Sequence, residues 1–263
     1  MSSGMYYNEY LKLDDLLAAQ QPVSQHPDEL HFIVVHQVHE LWFKLALHHL
    51  ERARTAMQED QLLEAARLVQ QVSGIFENLR QTALHLHTLP PPAFHRFRQM
   101  LAPGSGLQSY QFREIEFLGG ARDPRHVAWV QRQLENSDQW ERVHHRLEEP
   151  SLAEVFDAVL VRHHIPEVTN IYAEPHKYSI IYTLADALSE LDHQIQAWRY
   201  AHIQLVQRTI GTGTVGTGGT THDYLLATLK VHLFPALWAA RDRLTSWVDH
   251  GTIEIPKGHI GNG

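Results

Sequence analysis

Cysteine is absent from the sequence. That excludes a thiol nucleophile, a disulfide framework, a zinc–thiolate site and an iron–sulfur cluster. It leaves the compartment open, because reducing and oxidising surroundings both tolerate a chain without thiols. Long apolar runs are missing too, and no stretch approaches the roughly 20 apolar residues of a membrane span. The opening residues, MSSGMYYNEYLKLDD, lack a basic segment followed by an apolar one, so no secretory signal is read there. The expectation is a soluble, cytoplasmic protein with no membrane partner. Basic charge is short: 22 Lys and Arg face 30 Asp and Glu, a formal net charge of −8. Such a balance gives no electrostatic footprint for nucleic acid. Nor does any segment alternate apolar and polar residues as a half-buried strand does.

Apolar residues, at 43% of 263, suffice for a large core. Leu30, Ile33, Val34, Val38, Leu41, Trp42 and Leu45 follow the three-and-four spacing of one helical face, with Asp28 behind Pro27 as the expected N-cap. Phe32, His36, Phe43 and Leu47 run down a neighbouring face, and a helix apolar on two faces is a buried one. A second helical segment is expected from Glu51 to about His87, stopped by Pro90 to Pro92. A short helix carries Phe94, Phe97 and Met100, Ala102 to Gly106 make a turn, and Gln111 to Leu118 resume as helix. After a polar connection, Leu152 to Val161 and a long stretch through Leu184, Leu191, Trp198 and Leu205 to Ile210 read as helices. Gly211 to Gly219 are too rich in glycine for either regular structure. A last helix is expected over Tyr224 to Val248, with Pro235 as its break or kink. With no repeat and no linker, residues 1–263 read as one all-α domain.

The chain has 21 histidines, and histidine is the commonest metal ligand. His36 shares a face with Phe32 and Phe43, which suits either a core histidine with one hydrogen bond or a polar handle in an aromatic pocket. His39 adds an imidazole one turn on. His202 shares a face with Ile195 and Trp198; one helix-borne imidazole is a poor zinc site, which needs three or four ligands, but serves as a haem axial ligand or a core residue. GTGTVGTGGTT lacks a P-loop lysine and follows no strand, leaving a surface loop or a lid over a small polar ligand. Arg113 stands three residues before Glu116, the spacing of an ordinary helix-surface ion pair. Facing a cavity, its planar fork would suit a carboxylate.

The blocks YYNEYLKLDDLLAAQ, HPDELHFIVVHQVHELWFKLALHHL, LAPGSGLQSYQFREIEFLGG, WRYAHIQLVQRTIG and GTGGTTHDYL, in this order from Tyr7 to about Leu226, resemble the tryptophan 2,3-dioxygenase family. The resemblance implies an all-α homotetramer with haem b, ferrous in its active form, and dioxygen as co-substrate. It implies His202 as axial ligand and His36 as the distal histidine that hydrogen-bonds the indole N–H. Phe32, Tyr7 and Tyr10 would line the indole pocket, with the segment of about residues 1–25 exchanged with a neighbouring subunit. Tyr110 would also bind substrate, Arg113 would clamp its carboxylate and Thr217 would hold its ammonium group. L-Tryptophan would become N-formylkynurenine. A rival outcome is insertion of one oxygen atom into tryptophan or a substituted tryptophan. Val38 and His39 stand where the family usually has small or hydroxyl residues, and the loop before GTGG is one residue longer than usual. A haem carrier without turnover would need no amino-acid clamp.

Overall fold

The computed structural model describes residues 5–134, 138–216 and 219–249, and every regular element among them is a helix. In chain order these are α1 (Tyr7–Leu11), α2 (Leu13–Ala18), α3 (Glu29–Gln58), α4 (Leu62–His85), α5 (Pro91–Phe97), α6 (Tyr110–Gly119) and α7 (Pro124–Leu134). They continue with α8 (Gln139–Glu148), α9 (Leu152–Arg162), α10 (Val168–Ala173), α11 (Ser179–Ile210), α12 (His222–Thr228) and α13 (Pro235–Asp249). None of them is long and apolar enough to cross a membrane.

Helix α4 lies between α3 and α11 and supplies the middle of the core. Its buried residues Leu62, Ala65, Ala66, Leu68, Val69, Val72, Ile75, Phe76 and Leu79 recur at three and four, which sets one broad apolar face against both neighbours. Burying each large side chain contributes roughly 1.5–3 kcal/mol. At one end of this core four rings converge: Phe43 from α3, Phe76 from α4, Phe112 from α6 and Trp198 from α11. Phe112 and Trp198 lie closest, 4.8 Å between ring centroids, and Phe43 is 5.7 Å from Trp198. Three of the four also border the cavity described below, so core packing fixes the floor of the site.

Several boundaries differ from expectation, each for a local reason. Asp28 makes no side-chain cap on α3; the buried Glu29 carboxylate instead accepts the Val23 and Ser24 amides, each at 2.8 Å. The break expected at Glu51 falls later, where Asp60 adopts φ 62° between α3 and α4, a left-handed conformation that aspartate tolerates. The three prolines do not end α4, which stops at His85; Pro91 opens α5, where a missing amide costs nothing. The polar connection before Leu152 contains α7 and α8. Of the break or kink expected at Pro235, the structure shows a break, and a wide one: α12 ends at Thr228 and Pro235 begins α13.

Two features lock the C-terminal region to the rest. Asp192 of α11 is fully buried and accepts the Leu233 amide at 3.2 Å and the Trp238 indole N–H at 2.7 Å, with His232 Nδ1 at 3.2 Å. Gly120, at φ 140°, lets the same segment pass: a β-carbon there would meet Leu233 O at 2.7 Å and Ala153 Cβ at 2.8 Å.

Candidate active site

A cavity of about 270 Å³ opens between α3, α6, α11 and α12. Four residues to which the family resemblance gives site roles line it: Phe32 and His36 from α3, Arg113 from α6 and His202 from α11, with His39 beside them. They come from three helices and 170 positions of chain, brought together because the faces that carry them also carry the core stripe.

The His202 ring is open to the cavity yet walled by protein, and it stacks on Trp198 one turn earlier, 6.4 Å between centroids. Among the described residues neither ring nitrogen has a hydrogen-bond partner. Burial lowers its pKa to about 4, helped by the nearby His36 and His39, so at neutral pH the imidazole keeps a lone pair free for a metal. No cluster of three or more His, Asp or Glu among the described residues could hold a bare metal ion. One unpartnered imidazole in an aromatic and aliphatic cavity fits haem, whose porphyrin supplies the other donors.

His36 and His39 are fixed alike. His36 Nδ1 donates to the Phe32 carbonyl at 2.7 Å and His39 Nδ1 to the Val35 carbonyl at 2.8 Å, one turn back in each case. Each ring therefore holds its second nitrogen as an acceptor. Phe32 lies against His36, 4.1 Å between centroids. Burial lowers both pKa values, that of His39 to about 4. A histidine depressed in the fold but near 6.5 when unfolded gives stability that is full above the unfolded value and is lost as pH falls toward the folded one. The melting temperature should fall between pH 7 and pH 5, and His39→Gln should lessen that fall; an equal fall in both proteins would remove His39 as a contributor.

Arg113 does pair with Glu116, Nη1 to Oε2 at 2.6 Å, but inside the molecule and not on its surface. Arg199 Nη2 takes the other Glu116 oxygen at 2.5 Å, and His126 Nε2 lies 3.1 Å from Oε2. Burial alone would raise the Glu116 pKa; Arg113, His126 and Arg199 outweigh it and hold the carboxyl at about 2. The Arg113 Nε–H is buried with no partner, and its guanidinium lies 4.8 Å from the Phe112 ring centre. A cation with an unused N–H edge beside a cavity is a site for a carboxylate.

Other expected residues lie elsewhere. Tyr110 does not border this cavity; it lines an adjoining groove that also touches His36 and Glu40, with Arg142 stacked 4.7 Å over its ring. Tyr7 and Tyr10 are 74% and 72% exposed on α1 and do not line the cavity of their own chain. Thr217 lies outside the described residues, although Thr214, Gly216 and Thr220 from the same loop do border the cavity. Arg98 holds that loop through the Val215 carbonyl at 3.0 Å. Arg199, His126 and Tyr224 were not singled out from sequence. Tyr224 lines the cavity and stacks on Trp129 at 4.8 Å, and burial pushes its pKa up. A clue was present: Phe112, Ile115, Phe117 and Leu118 surround α6 with apolar residues, so its charges had to meet partners inside.

A family model described as tryptophan 2,3-dioxygenase matches residues 1–170 and 166–244. The chain is 36% identical over 263 residues to a protein named tryptophan 2,3-dioxygenase from Bacillus thuringiensis (strain Al Hakam), covering 91% of this chain and 93% of the relative. A protein of the same name from Bradyrhizobium sp. (strain BTAi1 / ATCC BAA-1182) is 36% identical over 264 residues, with the same two coverages. Another, from Bordetella parapertussis (strain 12822 / ATCC BAA-587 / NCTC 13253), is 36% identical over 264 residues, covering 91% of each chain.

Proposed function

Because the chain belongs to the tryptophan 2,3-dioxygenase family, we propose that it adds dioxygen across the pyrrole double bond of L-tryptophan, giving N-formylkynurenine. The observation that carries this reading is the meeting of His202, His36 and Arg113 around one cavity: a metal donor, an acceptor and an anion clamp. His202 would hold haem b by its free ring nitrogen. When bound, ferrous haem supplies the redox-active iron that activates dioxygen.

The chain's own residues then orient the amino acid. Arg113 meets the carboxylate with its unused edge. Phe32 forms part of an aromatic wall for indole, completed in this proposal by Tyr7 and Tyr10 of a neighbouring copy in a homotetramer. Their exposure on α1 supports that role, since an exposed tyrosine pair is free to enter another chain. Thr217 would hold the ammonium group. Tyr110 faces the adjoining groove and is given no contact with indole. His36, with Nδ1 committed to the Phe32 carbonyl, offers Nε2 as acceptor to the indole N–H. It orients the ring and leaves the proton on the indole nitrogen; such alignment is worth several kcal/mol of barrier, on the order of 7–11 at its limit. The whole of 1–263 acts as one helical domain in this account.

Product mass after turnover under labelled dioxygen tests the reaction. Incorporation of both label atoms is expected; a product carrying one would replace this reading with single-oxygen insertion, which no observation so far favours.

A further inference from the structure

The buried charge cluster contains more than an anion clamp needs. We infer that Glu116 is a positioning residue for the substrate carboxylate, setting the free edge of Arg113 toward the cavity and tying it to the helix that bears His202. The inference rests on the reading of Arg113 as the clamp.

Glu116 divides its two oxygens between two helices. Oε2 takes Arg113 Nη1 and Oε1 takes Arg199 Nη2. With Nη1 committed, Arg113 keeps the opposite edge, Nε and Nη2, and the buried Nε–H has no partner. That edge carries two parallel N–H bonds, the arrangement a carboxylate matches in bidentate fashion. Rotation of the guanidinium about its stem would spoil the match, and Glu116 resists it.

The two guanidinium groups divide one carboxylate between them. Asp192, the other acid that Arg199 senses, binds donors from residues 232–238 and makes no ion pair with Arg113, whose one carboxylate partner among the described residues is Glu116. The remaining N–H edge of Arg113 is left for a ligand anion. Arg199 completes the connection. Its Nη1 donates to the carbonyls of Thr228, at 3.1 Å, and Val231, at 2.7 Å, and it stands three residues before His202, on the adjoining face of α11. Glu116 therefore joins α6, α11 and α12, three walls of the cavity. A glutamine there keeps the shape but offers one oxygen, and turns an N–H donor against a guanidinium.

The test is an anaerobic spectral titration of haem-loaded enzyme with tryptophan and with tryptamine, which lacks the carboxylate. Glu116→Gln should lower the preference for tryptophan by about tenfold or more, while tryptamine affinity stays within about twofold. Glu116→Asp should restore part of the preference. In an Arg113→Lys background Glu116→Gln should have no further effect, because it acts through that side chain. Should Glu116→Gln fail to fold, the charge-balanced pair Glu116→Gln with Arg199→Met carries the same expectation. Equal weakening of both ligands, or an unchanged preference, overturns the proposal alone. A wild-type protein that binds both ligands equally overturns the clamp, and this proposal with it.

Discussion

Replacing His202 by leucine should abolish the Soret band of hemin-treated protein and remove turnover, while far-ultraviolet circular dichroism stays that of the wild type. The imidazole faces the cavity without a hydrogen-bond partner among the described residues and is held neutral by burial. Its loss thus breaks no internal bond, and leucine suits a wall already lined by Leu86, Leu89 and Leu205. Haem affinity should drop by more than the roughly 10–100-fold that loss of an outer partner of a metal ligand costs. A leucine variant that keeps a wild-type Soret band would remove His202 from the iron and with it the proposed chemistry.

Arg113→Lys should lower kcat/KM for tryptophan by about 10²–10³-fold, or roughly 3–4 kcal/mol of transition-state stabilisation. Lysine keeps the charge, so Glu116 retains a cation, but it lacks the planar pair of N–H bonds that a carboxylate meets. The thermal midpoint should therefore move little. Binding of tryptamine should hardly change, and that contrast separates a lost clamp from a disturbed fold. Parallel losses for both compounds would show that Arg113 serves the structure and not the ligand.

The long helices could be read in the sequence because their apolar faces are broad: α3, α4, α9 and α11 each bury a stripe at three and four. On α3 the stripe is not the expected one: Val35, Phe43, Ala46, Leu47 and Leu50 are buried, while Leu30, Val34, Leu41 and Leu45 of the face expected inside are exposed. Helices α7 and α8 could not, since they bury only Val130 and Leu134, and Val143, too few to show a period. The boundary between α12 and α13 was hidden for the opposite reason. Leu229, Val231, Leu233 and Phe234 continue an apolar pattern without continuing a helix; the Leu233 and Phe234 amides donate instead to the Asp192 carboxylate on α11, which no local pattern announces.

Among the residues that border the cavity, His36, His202, Phe32 and Arg113 are the ones that spacing joined to the ordered blocks of family likeness singles out. The pair of Arg113 and Glu116 was visible at three residues, but its burial was not, because its second cation, Arg199, lies 83 positions away. Tyr110 shows the limit in the other direction: residues 110 and 113 stand about one turn apart on α6, yet Arg113 borders the cavity and Tyr110 the adjoining groove.

Helix α11 spans 32 residues, roughly 48 Å at about 1.5 Å per residue. Its leading half, from Ile181 to Ile195, is embedded in the core, and its trailing half runs past Trp198 and His202 along the cavity. It works as a beam held at both ends: by the core at one, and at the other by Leu205 in a smaller apolar cluster and by the bonds of Arg199 to Glu116, Thr228 and Val231. Repacking around Leu184 or Leu188 would be transmitted along it to His202. In the proposed holoenzyme, residues that touch neither haem nor amino acid would thereby tune the iron.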